Sequence, residues 1–217
     1  MHYTGRHGQQ GPTQIEGFNN DLDLSASDEA TRLLDAAYAL TIPDYIRTDR
    51  PVSTHTPNQV DAYVQTFGST VEVEEKFRPA KINKHTGLPI VYRDLLIEDV
   101  QVDADGGYRA DGWLWRYPAD RLIATAWEAT GAVLIVRAGA LRDAYEANRD
   151  RWFAVSHIAC AGNRVQGNVA YYSISTCVDT ITILDAVPGA MLIDTRGGRV
   201  WANDGNGSHH ATTEAIG

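Results

Sequence analysis

Val71-Glu72-Val73-Glu74-Glu75-Lys76-Phe77-Arg78 is the stretch on which the fold turns. Read as a strand, it sends successive side chains to opposite faces. Glu74 and Lys76 then share one face, while Val73, Glu75 and Phe77 share the other. Asp61 feeds in from the strand before it. A carboxylate and an ammonium on one strand face, joined by a neighbouring Asp, can hold a divalent ion and activate a water beside it. That chemistry suits metal-assisted cleavage of a phosphodiester. The plainer alternative is an amphipathic surface strand, with Glu72, Glu74, Lys76 and Arg78 as its solvated face. The eight residues alone favour that alternative, and the surrounding chain shifts the balance.

Working outward, Phe67-Gly68-Ser69 is a turn signal, so residues 59–78 read as a β-hairpin or meander. Upstream, Ser25 or Ser27 has the character of an N-cap, with Asp28 and Glu29 in the first turn. Leu33, Leu34, Ala37, Tyr38 and Leu40 follow at helical spacing until Pro43. Residues 44–57 are polar and irregular, and 1–20 form a Gly-, Gln- and His-rich arm. Downstream, 79–89 reads as a loop, Leu95 to Val102 as a strand, and 103–107 as a turn. Arg121–Trp127 and Ala132–Val136 form a strand pair, followed by a helix from about 138 to 151. Tyr171–Val178 and Thr180–Leu184 read as late strands, and 196–217 as a frayed Gly-, Asn- and His-rich tail. The order predicts one α/β domain over 21–195 with a single central sheet.

Composition sets the outer bounds. The chain has 217 residues, 43% of them hydrophobic, enough for one domain with a real core. A formal charge of −9 means that any nucleic-acid contact must come from a local basic patch. Lys76, Arg78, Lys81, Lys84 and Arg93, with no acidic residue between Lys76 and Asp94, read either as a phosphate track of this kind or as a solvated loop. Cys160 and Cys177 lack metal-ligand spacing and read as reduced core thiols. The N-terminus has no apolar leader, and no run reaches the roughly 18 apolar residues of a membrane span. A soluble, cytoplasmic protein without membrane contact is expected. His55, His85 and His157 have no zinc spacing, and no P-loop or nucleophile elbow is present. Trp113 and Trp115 could stack on bases, but they read first as anchors of a turn to the core.

A helix carrying Glu29, an Asp in a following strand (Asp61) and Glu74-Glu75-Lys76 one hairpin later resemble the PD-(D/E)xK nuclease superfamily. Leu95-Leu96-Ile97-Glu98 and the run Gly112-Trp113-Leu114-Trp115-Arg116-Tyr117-Pro118-Ala119-Asp120 are similar to its phage and bacterial members. The resemblance spans roughly residues 25–150; Gln59-Val60 stands where the family carries a Pro. It implies a restriction-endonuclease-like fold, a mixed central sheet flanked by helices, and a nuclease dependent on Mg²⁺ or Mn²⁺ and acting on DNA. Asp61, Glu74 and the Glu75 backbone carbonyl would hold the ion, with Glu98 as a weaker ligand and Glu29 as an accessory group. Lys76 would orient or help deprotonate the attacking water. Arg78, Lys81 and Lys84 would track the nucleic acid. Many nucleases of this fold pair to cut both strands, which admits a homodimer. The rival from another class is a binding protein that keeps the fold without the chemistry.

Overall fold

The computed structural model describes residues 13–15, 28–49, 61–66, 68–165, 168–205 and 209–213. In chain order come β1 (Thr13–Ile15), α1 (Asp28–Thr41), β2 (Ile46–Asp49), β3 (Ala62–Thr66) and β4 (Ser69–Arg78). Then follow β5 (Lys81–Ile82), β6 (Pro89–Ile90), β7 (Asp94–Asp103), β8 (Tyr108–Asp111) and the single-turn α2 (Trp113–Arg116). Next are β9 (Leu122–Trp127), β10 (Ala132–Arg137), α3 (Ala138–Val155), β11 (His157–Val165) and β12 (Asn168–Asp179). The chain closes with α4 (Thr180–Ala186), β13 (Met191–Asp194), β14 (Arg199–Asn203) and β15 (His209–Thr213).

The architecture is α/β, with a large mixed sheet flanked by helices. Its eight strands run β15-β14-β13-β10-β9-β4-β3-β2, and β4 lies within it, third from the β2 edge. β4 pairs antiparallel with β3 and parallel with β9, with Glu74 opposite Ile123 and Lys76 opposite Thr125. The period-two pattern is the cause. Val73 and Phe77 bury against α1, whose Ala30, Leu33, Leu34, Ala37 and Tyr38 form one helical stripe. The even-numbered residues of β4 face the other side, where Ile123, Trp127, Leu134 and Val136 meet α2 and α3. A second, five-stranded sheet, β1-β11-β12-β7-β8, completes that side. No helix among the described residues is long and apolar enough to cross a membrane.

Glu75 shows what the α1 side demands of a buried acid. It accepts the Tyr38 hydroxyl at 2.9 Å and a two-pronged bond from Arg47 at 2.9 and 2.7 Å. Arg47 reaches Asp49 as well, at 2.7 Å. Burial, with the Glu75 charge beside it, drives the Tyr38 hydroxyl well above its ordinary pKa and keeps it a donor.

Several expectations need correction. There are two large sheets, because β7, β11 and β12 pair among themselves instead of joining β4 and β9. Thr180–Ala186 is a helix: the Asp179 carboxylate accepts the Ile181 N–H at 2.9 Å and caps it, which outweighs the β-branched residues that suggested a strand. Residues 199–203 are not frayed. β14 pairs with β13, and Trp201 and Val200 pack on the two cores. The expected loop at 79–89 contains the β5–β6 ladder, and β2 lies within the expected irregular stretch. The caps at Ser25 and Ser27, and most of the N-terminal arm, lie outside the described residues.

Glu75→Ala should be destabilising by about 3 kcal/mol, because it removes the buried acceptor of both Tyr38 and Arg47 and leaves Arg47 only the exposed Asp49 among the described residues. Urea unfolding measures this, and a loss below about 1 kcal/mol would mean that the network is not held out of water.

Candidate active site

The β3–β4 hairpin joins the first two acids. The Asp61 N–H donates to the Val73 carbonyl at 3.0 Å, and Asp61 Oδ2 accepts the Glu75 N–H at 2.8 Å. The carboxylate thus replaces a ladder carbonyl where β3 begins, and this pins Asp61 against β4. A residue's N–H and C=O point to the same edge of a strand. The Glu75 carbonyl therefore faces the edge that Asp61 occupies, while its side chain lies across the sheet with Arg47.

Glu74 and Lys76 occupy the opposite face to Glu75, as the alternation predicts. Lys76 Nζ lies 3.1 Å from Glu74 Oε1, and that oxygen also accepts the Tyr117 hydroxyl at 2.5 Å. The Lys76 ammonium sits 4.9 Å above the Trp113 ring, which stacks on Tyr117 with centroids 5.5 Å apart. Thr125, opposite Lys76 on β9, has a buried hydroxyl with no hydrogen-bond partner among the described residues.

The aromatic floor is held from below. A Cβ at Gly112 would collide with the Glu98 carbonyl, so only glycine lets α2 approach β7 this closely. Glu98 then accepts the Trp113 N–H at 2.9 Å. Arg142 on α3 donates to the Leu114 and Tyr117 carbonyls at 2.9 and 2.6 Å, fixing the turn that presents Tyr117.

The electrostatics single out Asp61. Burial, and then the Glu74 charge, push its carboxyl up to about 7 against the pull of the Glu75 N–H and Lys76. Burial and the Glu74 and Asp61 charges likewise raise the Tyr117 hydroxyl far above its ordinary range, so it stays a donor. Two carboxyls, a lysine and a phenol thus act on one another at the edge of one sheet face. Perturbed acids of this kind mark functional sites more often than plain surface does.

Not every expected residue converges here. Glu98 lies beneath Trp113, its oxygens taken by the Trp113 N–H and by Gln101 Nε2 at 3.2 Å, with Arg116 at 3.6 Å. It does not join Asp61 and Glu74: among the described residues no three His, Cys, Asp or Glu side chains are grouped to hold a metal. Glu29 pairs with Arg32 at 2.6 Å on α1, the helix that covers the other face of the sheet. Arg78 ends β4, and Lys81 and Lys84 lie exposed on the β5–β6 hairpin. Sequence reasoning missed Tyr117, Arg142 and Thr125; the one signal for the first was the aromatic run at 113–117.

An ion here would rest on Asp61, Glu74 and the Glu75 carbonyl. Mg²⁺ keeps several waters and needs only one or two carboxylates. Asp61 is driven up to about 7 by burial and then by the Glu74 charge, and a divalent ion would favour its ionised form. Two carboxylates and a carbonyl are oxygen donors of the type such an ion takes.

The raised Asp61 carboxyl makes stability depend on pH. Its folded pKa exceeds the ordinary carboxyl value, so the folded state holds the proton more tightly. The resulting stabilisation is complete below about pH 4 and is lost as pH rises through about 7. In chelator, Asp61→Asn should therefore unfold at higher urea than the unmodified chain above pH 7, and the gap should shrink toward pH 4. A gap that is constant across that range would contradict the assignment. Neither protein-family models, nor curated proteins, nor solved structures match the chain, so what this cluster does must be inferred from its own geometry.

Proposed function

We propose that this protein is a Mg²⁺- or Mn²⁺-dependent nuclease of restriction-endonuclease-like fold, hydrolysing phosphodiester bonds of DNA. The observation that carries the proposal is the Asp61–Glu74–Lys76 set: a buried carboxyl driven up to about 7 by burial and then by the Glu74 charge, with the Lys76 ammonium 3.1 Å from Glu74. The order of elements supports it too, with a helix, an Asp at a strand start and a Glu-x-Lys one hairpin later.

The chemistry assigned to the chain's own groups follows from their places. Asp61 and Glu74 offer oxygen ligands, and the Glu75 carbonyl faces their edge. A bound divalent ion would supply charge neutralisation at the phosphate and a more acidic water. Lys76, resting on the Trp113 ring beside Glu74, presents positive charge to a phosphate oxygen and orients the attacking water. Tyr117 fixes the Glu74 carboxylate through its hydroxyl, so that one oxygen is held and the other left for a ligand. Trp113 and Tyr117 close the floor and keep water from the underside of the pair.

One observation favours the rival, a binding protein that retains the fold. Glu74 Oε1 already carries two donors, and no third acid joins the pair among the described residues.

The decisive assay is cleavage of plasmid and linear DNA with Mg²⁺ or Mn²⁺. Chelator should abolish it, and Asp61→Asn, Glu74→Gln and Lys76→Ala should each lower the rate by about 100-fold or more, since the groups act as one unit. Tyr117→Phe should be milder, about tenfold, because it removes one bond that positions Glu74. Equal cleavage by all three primary variants would overturn the proposal, and so would a purified protein that cuts no nucleic acid under any of these conditions.

A further inference from the structure

The β5–β6 hairpin stands apart from both large sheets. Among the described residues its two strands pair only with each other, Lys81 with Ile90 and Ile82 with Pro89. An isolated two-stranded ladder is marginal, and this one is stiffened at both ends. At the tip, Asn83 Oδ1 accepts the His85 and Thr86 N–H groups at 2.9 and 3.2 Å, and Gly87 takes a φ of 68° that favours glycine. At the base, the Ala80 N–H donates to Glu128 at 2.7 Å, which ties the hairpin to the turn after β9. The result is a firm projection that follows directly from the strand bearing Glu74 and Lys76.

What it exposes is unusual. Ile82 is 57% exposed, Leu88 65% and Val91 49%. Beside them Lys81, Lys84 and Arg93 are exposed, and none pairs with an acid among the described residues. No Asp or Glu occurs between residues 79 and 93, in a chain whose formal charge is −9. A basic, apolar-tipped projection on an acidic protein calls for a polyanion that also offers apolar surface. Stacked bases between phosphates meet both demands. Ile82 pairs with Pro89, while Asn83 donates to the Leu88 carbonyl at 2.8 Å, so by alternation Ile82 and Leu88 lie on opposite faces of the hairpin end. An inserted tip would thus meet a base on each side. Lys81 lies five residues beyond Lys76, at most about 17 Å of extended chain, which is within one turn of a duplex of about 34 Å.

We propose that the β5–β6 hairpin is a wedge for duplex nucleic acid: Lys81 and Lys84 hold phosphates while Ile82 and Leu88 press between base pairs and unstack a step beside the Asp61–Glu74 centre. The wedge rests on the proposed phosphodiester chemistry for its substrate, and it narrows that substrate to double strands.

The test uses the full chain in chelator with a duplex carrying 2-aminopurine, whose fluorescence rises on unstacking. The unmodified protein should produce the rise. The double variant Ile82→Ser/Leu88→Ser should lose it and bind duplex about tenfold more weakly with an unchanged salt slope. Lys81→Ala/Lys84→Ala should flatten the slope of log affinity against log salt by about 2. Duplex binding without a rise, or a rise that persists in the serine variant, overturns the wedge. So does a hairpin whose apolar residues are needed only for anionic vesicles or self-association. Adding Mg²⁺ separates the two proposals. Unstacking without cleavage supports the wedge and removes the nuclease reading, whereas cleavage without unstacking does the reverse.

Discussion

Strand β4 carries acid on both of its faces, and each carboxylate drawn out of water must find donors. On the α1 side, Glu75 finds three, from Tyr38 and Arg47. On the other side, Glu74 finds the Tyr117 hydroxyl and the Lys76 ammonium. Asp61, wedged at the edge between them, takes one backbone N–H at 2.8 Å among the described residues. That inequality sets the character of the molecule. Glu75 fastens helix to sheet, Glu74 is held in place, and Asp61 is driven up to about 7 by burial and then by the Glu74 charge.

The same requirement explains the crossover between the parallel partners β4 and β9. Residues 79–121 leave the large sheet, build β7 and β8 of the second sheet, and return through α2. The return delivers Trp113 and Tyr117 beneath Lys76 and Glu74, and the bare Cα of Gly112 permits the approach. Arg121, at the end of the crossover, pairs with Glu72 at 2.8 Å and lies over the Tyr117 ring. The charged face of β4, which resembles a solvated surface when read alone, is therefore largely covered by this one segment.

Much of this was legible in the chain. The period of two in 71–78 placed Val73 and Phe77 in one core and set Glu74 with Lys76 on the opposite face, and the helical stripe from Leu33 to Tyr38 identified the covering helix. Other features were not legible, for physical reasons. Strand partners are set by long-range pairing, so nothing local revealed that β7 and β12 would form their own sheet. In Thr180–Leu184 local β-propensity competed with a cap at Asp179, and the cap prevailed. Glu98 had the right residue type on a strand, but its engagement with the Trp113 N–H depends on the Gly112 contact, which joins residues far apart in sequence. Tyr117 was hidden for the same reason, since its role lies in reaching Glu74 across 43 positions.

The proposed chemistry stands or falls on whether Asp61 and Glu74 together bind a divalent cation. Calorimetric titration of the full chain with Mn²⁺ tests it most directly. One ion should bind per chain, with binding lost in both Asp61→Asn and Glu74→Gln and retained in Glu98→Gln. No binding by the unmodified protein, or equal binding by all three variants, would contradict it.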